Sequence, residues 1–317
     1  MSDVRTAKMG PAEWAMLVLL SVVWGGAFFF YKVLDDAGLP PFTIVLGRVA
    51  GGALALLPVV FLSGRHMPRS ARVWRSLFVL GAFNNVLPFA LIIFGEKQID
   101  SGLASVFNAT TPIFTALIAH AATRDEKLTP GRIAGIVLGL AGVVLLMGPA
   151  ALRGFSVTSI AQLACVGAAI VYGFGAVYAR RFSALGVDPL VLSAGQLCAS
   201  ALLALPLSLA LEHPWTALHG IAPATWLAWL GLALPSTALA FVLYFRILAT
   251  AGATNAASVT FLVPVSAVLL GTLVLHEHLS PTTFAGMAAI FAGLALLDGR
   301  LVRALARARP GGAGARA

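Results

Sequence analysis

Eighteen consecutive residues, Trp14 to Tyr31, carry no formal charge, and nine further apolar stretches follow along the chain. A run of about 20 apolar residues crosses the bilayer hydrocarbon as a helix. Bounded by charge, Gly or Pro, the ten runs fall at 14–33, 41–62, 73–94, 101–121, 130–149, 157–179, 189–211, 224–246, 254–275 and 281–299. They are continuous, without the alternation of an outer-membrane barrel strand, so the expected class is an all-α polytopic membrane protein. Composition leaves little else open: 59% of the 317 residues are apolar, 10% are charged and the mean hydropathy is +0.93. Soluble domains average about 45–50% apolar and about 25% charged. The first run continues through Phe28–Phe30 with no small-x-small cleavage pattern after it, so it is expected to be a retained span.

The net charge of +9 follows the membrane, not a nucleic acid partner. The basic residues are scattered in loops, without the basic-aromatic runs that track a nucleic acid strand. With ten spans and a cytoplasmic N-terminus, seventeen of the 21 Lys and Arg fall on the inside. Only Lys32, Lys97 and Arg153 fall outside, and Arg48 lies within a span. That asymmetry predicts ten spans with cytoplasmic tails at 1–13 and 300–317; the expected location is the cell (inner) membrane. Cys165 and Cys198 lie in apolar stretches and read as buried thiols. No metal site and no cofactor are expected.

The second half of the chain repeats the first. At an offset of 148, Trp24-Gly25 meets Tyr172-Gly173, Pro41 meets Pro189 and Gly47 meets Gly195. At 152, Trp74 meets Trp226, Phe89 meets Phe241 and Pro112 meets Pro264. At 151, Glu126-Lys127-Leu128-Thr129-Pro130 meets Glu277-His278-Leu279-Ser280-Pro281. Each half holds five spans, and five is odd, so the halves must enter the membrane from opposite sides. Inverted repeats of this kind build secondary transporters, with the substrate site near the midplane between them.

Several segments resemble the EamA type of the drug/metabolite transporter superfamily. They are Trp24-Gly25-Gly26-Ala27-Phe28 with Lys32; Pro41-Phe42 with Gly47-Arg48; and Gly102-Leu103-Ala104-Ser105 with Pro112, Glu126-Lys127-Leu128-Thr129-Pro130 and Gly135. The second half repeats the last block at Pro264, Glu277, Pro281 and Gly286, and departs at Gln196, where the basic residue is replaced. The resemblance covers 14–299 and implies two five-helix repeats, 14–149 and 157–299. It further implies export of small metabolites, often amino acids, and a cavity lined by spans 1, 3, 4, 6, 8 and 9.

Polar residues at membrane depth need partners or a wet cavity. Asn84 and Asn85 in the third span match Ser236 and Thr237 in the eighth; Asn108 matches Thr260; Trp24 matches Tyr172. Trp24, Asn84, Asn85, Asn108, Tyr172, Ser236 and Thr237 are therefore the candidate substrate-binding residues, with helix–helix adhesion as the alternative for each. Thr111 and Thr260 read as adhesion. Pro88, Pro112, Pro235 and Pro264 interrupt spans and are candidate gating or structural kinks. Arg48 lies about seven residues, roughly 10 Å, from the outer end. It is expected to snorkel outward or to pair with Asp35, Asp36 or Asp100, in a gating or structural role ahead of binding a substrate carboxylate. Gly135, Gly139, Gly142, Gly286 and Gly293 suit close packing of spans 5 and 10.

All twelve carboxylates fall in tails, loops or span ends. Transport is therefore expected to be uniport or exchange, with proton-coupled efflux of a drug or other metabolite as the alternative. His120 reads as an interfacial histidine. No GxxxxGK[ST] loop supports ATP-driven transport. A membrane enzyme would need a catalytic cluster, and His276-Glu277-His278 offers no further ligand. The polar stripe of a channel is absent, and a carrier of phosphorylated sugars would need more basic residues than Arg48 in the cavity. The reading is a non-enzymatic exporter of an amino acid or similar metabolite, working by alternating access in a lipid bilayer. Two complete repeats in one chain allow a working monomer.

Overall fold

The computed structural model describes residues 10–123, 127–153, 156–251, 256 and 258–298. Ten membrane-scale helices follow one another: α1 (Pro11–Asp36), α2 (Pro41–Leu62), α3 (Ala71–Glu96), α4 (Ser101–Ala122), α5 (Pro130–Arg153), α6 (Val157–Ala184), α7 (Pro189–Leu211), α8 (223–251), α9 (Val259–Val274) and α10 (Pro281–Asp298). A single turn, Pro214–Leu218, lies between α7 and α8. Among the described residues there is no strand. Among the described residues, nine of these helices are long and apolar enough to span a bilayer, and α9 is a shorter apolar helix. Its expected start at 254 lies outside the described residues, as do Glu126 and most of both tails.

Proline opens α1, α2, α5, α7, α8 and α10. A first-turn proline gives up an N–H that would have no helical partner. Thr129 and Ser280 cap the helices that follow them, accepting from Arg132 N at 3.4 Å and Thr283 N at 3.3 Å.

Packing follows the repeat. Helix α1 lies on α9 while α6 lies on α4, and α3 lies on α6 while α8 lies on α1. Helix α2 runs along α7, its own counterpart, and α5 runs along α10. The α5–α10 pair is held close by its glycines, as expected. A Cβ on Gly135 would lie 2.6 Å from Gly293 O, and one on Gly142 would lie 2.8 Å from Gly286 O. Large apolar side chains face outward, including Leu62, Leu54 and Leu273. That surface suits lipid rather than water.

Candidate functional site

Helices α3 and α8 each contain a stretch of π-helix, Ala82–Val86 and Leu234–Leu239. At the 152 offset these stretches coincide. Pro88 lies just beyond the first and Pro235 inside the second. A proline removes a ladder donor, and a widened turn accommodates the loss. The expected kinks at these two prolines are thus π-bulges. They carry the matched pairs Asn84-Asn85 and Ser236-Thr237. Pro112 opens the second half of α4, Thr111–Ala122, after a break at Ala109–Thr110. Pro264 is buried within continuous α9.

Each π-bulge lies against the second helix of the opposite repeat. Asn84 Nδ2 donates to Gln196 Oε1 at 3.0 Å, and Asn85 Nδ2 donates to Ser200 Oγ at 2.9 Å, both on α7. On the other side, Thr237 Oγ1 accepts from Arg48 Nε at 2.9 Å, and the Ser236 carbonyl accepts from Arg48 Nη2 at 3.5 Å. Leu77 packs on Gly195 as Trp229 packs on Gly47, where the indole leaves no room for a Cβ. Trp229 Nε1 also donates to Ile44 O at 3.2 Å. The α3–α7 and α8–α2 crossings therefore correspond residue by residue. Four candidate binding residues, Asn84, Asn85, Ser236 and Thr237, make hydrogen bonds across these crossings.

Arg48 departs from expectation. Among the described residues it neither snorkels nor pairs with a carboxylate: Asp36 is bonded to Lys32 at 2.8 Å, and Asp35 lies 3.6 Å from Lys97. Its side chain is 6% exposed. Besides Thr237 and Ser236, it donates to the Tyr31 hydroxyl and lies over the Phe89 ring at 3.8 Å. Nearby ring faces and neutral acceptors take the place of a counter-ion. Tyr31 and Phe89 escaped the sequence reading because nothing local distinguishes them from core aromatics.

The other three candidates are half-buried. Tyr172 meets Phe89 edge-on at 6.3 Å, and Trp24 lies 5.7 Å from the Tyr244 ring. Asn108 sits at the α4 break. Its carbonyl accepts from Thr111 Oγ1 at 2.7 Å, while its side-chain Oδ1 is buried without a hydrogen-bond partner among the described residues. His120 is satisfied at the end of α4, its Nδ1 accepting from Leu128 N at 3.2 Å.

Two carboxylates at the ends of second-repeat helices cap first-repeat helices. Glu212, after α7, accepts from Phe42 N at 2.8 Å and Thr43 N at 2.7 Å at the start of α2. Glu277, after α9, accepts from Ser101 N at 2.8 Å and Gly102 N at 3.1 Å at the start of α4. A carboxylate at a helix N-terminus satisfies free N–H groups and complements the helix dipole. Neighbouring Asp100 lies in the turn before α4, where burial, and next the Glu277 charge, hold its carboxyl above the usual aspartate range.

The sequence profile of the EamA-like transporter family matches residues 12–148 and again 159–297. The chain belongs to this family. Its relatives include an uncharacterized transporter, YoaV, of Bacillus subtilis, 26% identical over 88% of this chain and 94% of that protein. PecM of Dickeya dadantii is 25% identical, covering 87% and 89% of the two chains. A protein of Streptantibioticus cattleyicolor named a probable terminal-alkyne amino-acid exporter is 29% identical over 92% of this chain and 95% of its own. A solved crystal structure shares the fold with a TM-score of 0.61 at 23% identity, covering 90% of this chain and 98% of that one. As an EamA transporter, the protein is a multi-pass membrane protein that moves small metabolites.

Proposed function

We propose that this EamA transporter exports an amino acid or a closely similar zwitterion by alternating access between two repeats, 14–149 and 157–299. The observation that carries the reading is the pair of matched crossings, α3 on α7 and α8 on α2. Two equivalent contacts exchanged by a pseudo-two-fold axis in the membrane plane can trade open and closed roles while the α5–α10 pair stays packed. Trp24 and Tyr172 offer ring faces to the substrate, and Asn108 Oδ1 is an acceptor for its ammonium group. Asn84, Asn85, Ser236 and Thr237 serve the moving crossings. Relatedness to a protein named as an amino-acid exporter supports the substrate class. Its place is the cell (inner) membrane, and the loop charges support an orientation with both termini, 1–13 and 300–317, in the cytoplasm.

Counterflow in proteoliposomes tests the proposal. Vesicles loaded with unlabelled amino acids are diluted into labelled aromatic, aliphatic and basic amino acids without an ion gradient. Transient accumulation of label is expected, reduced at least about tenfold by Asn108→Leu, the scale of one lost charge-assisted hydrogen bond. Absence of uptake by folded protein would overturn the amino-acid assignment.

A further inference from the structure

Glu96 closes α3, at the end of a span. In the structure it is 0% exposed, and neither carboxylate oxygen has a hydrogen-bond partner among the described residues. Phe89, Ile92 and Ile93 share its helix face and are buried with it. Gly95 beside it is pressed against Ala161 and Cys165 of α6.

The charges around Glu96 are engaged elsewhere. From α1, Lys32 is bonded to Asp36, and Asp35 faces Lys97. Tyr31, also on α1, receives its hydrogen bond from Arg48 of α2. After α9, Glu277 is a like charge whose oxygens are held by Ser101 N and Gly102 N. Asp100 lies in the turn before α4 and Cys165 on α6. Ser101 Oγ is itself buried and has no hydrogen-bond partner among the described residues.

We infer that Glu96 is a proton-binding site that locks this end of the bundle shut. A buried carboxylate without donors, near a second carboxylate, is strongly disfavoured as an anion. Packing α1, α3, α4 and α6 around it therefore requires one proton from the aqueous face, forming the O–H bond of the neutral acid. When these helix ends separate, the carboxyl meets water and returns that proton. The end concerned is the one that carries the Glu212 and Glu277 caps, and it faces outward in the orientation proposed above. The lock sets the rate of the closing step and moves no proton across the membrane.

The test compares wild type with Glu96→Gln, the neutral isostere, and Asp188→Asn, a partly exposed carboxylate control at the start of α7 that is paired with Arg65. In detergent, the infrared C=O stretch of a protonated carboxyl is expected in wild type and Asp188→Asn and missing from Glu96→Gln. Melting temperature falls as pH rises in wild type, while Glu96→Gln lacks that part of the fall. In proteoliposomes, counterflow of labelled neutral amino acids slows about tenfold for each unit of external pH beyond the midpoint in wild type, the proportion in which the neutral acid declines. In Glu96→Gln it does not. A wild type without the infrared band, a Glu96→Gln protein that fails to fold, or one that keeps the wild-type pH profile would each overturn the lock. The flux arm rests on the amino-acid reading; the infrared and melting arms do not. Wild type that shows the band but no counterflow therefore overturns the substrate class alone.

Discussion

Gln196 accepts from Asn84 at 3.0 Å at the position that Arg48 occupies in the other repeat, where Arg48 donates to Thr237 at 2.9 Å. One crossing of the pseudo-symmetric pair is thus held by neutral amides and the other by a buried cation. Two crossings that alternate in closing need not be equal in strength, and their difference biases which end rests closed.

Gln196→Leu tests the neutral crossing. Interhelical hydrogen bonds in membranes contribute on average about 0.6 kcal/mol, so only a small change in melting temperature is expected. Counterflow should change several-fold, because the crossing must break and reform in every cycle. A variant with wild-type flux would show that Asn84–Gln196 is a static contact.

Arg48 sits against Tyr31 and Phe89 with a planar guanidinium that an ammonium does not reproduce. Arg48→Lys and Arg48→Gln are both expected to reduce transport by at least about tenfold, with Lys giving little rescue. Rescue by Lys in initial-rate measurements would mean that charge alone suffices.

Gly142 bears directly on Gly286 across the α5–α10 contact. Gly142→Leu overfills that contact and should destabilise the protein by about 1–3 kcal/mol. Thermal melting in detergent reads this out, and the flux per folded molecule should stay near wild type, because the pair is scaffold.

Asp100 provides a pH-dependent term outside the spans. Burial and Glu277 raise its folded-state affinity for a proton above the unfolded value. Its contribution to stability is therefore complete below about pH 4, the unfolded aspartate range, and is lost as pH rises through the folded value. Asp100→Asn should melt higher relative to wild type at neutral pH than at pH 4. For a partly exposed group the gain is at most about 1 kcal/mol.

Much of this architecture is written in local pattern. Prolines and charges bound the spans because helix ends and membrane interfaces both obey short-range rules. The repeat offsets match Trp24 with Tyr172 and Asn84-Asn85 with Ser236-Thr237. The glycines of α5 and α10 announce close packing because small residues at helical spacing have few other uses in a bilayer. What each polar side chain does with its hydrogen bonds was beyond that pattern. Sequence shows Asn84 and Ser236 to be repeat equivalents but not that Asn84 bonds Gln196 on α7. The depth of Arg48 in its span predicts snorkelling or a carboxylate partner, and it is found among aromatics. Glu96 stands next to Lys97 in the chain and reads as interfacial, yet α1 and α6 close over it. Sequence alone determined the number and approximate bounds of the helices, since backbone hydrogen bonds in lipid must be satisfied within each segment, and the packing of α5 on α10. Only the tertiary structure decided which side chains meet, because partners separated by more than a hundred residues are brought together by helix packing and leave no local trace.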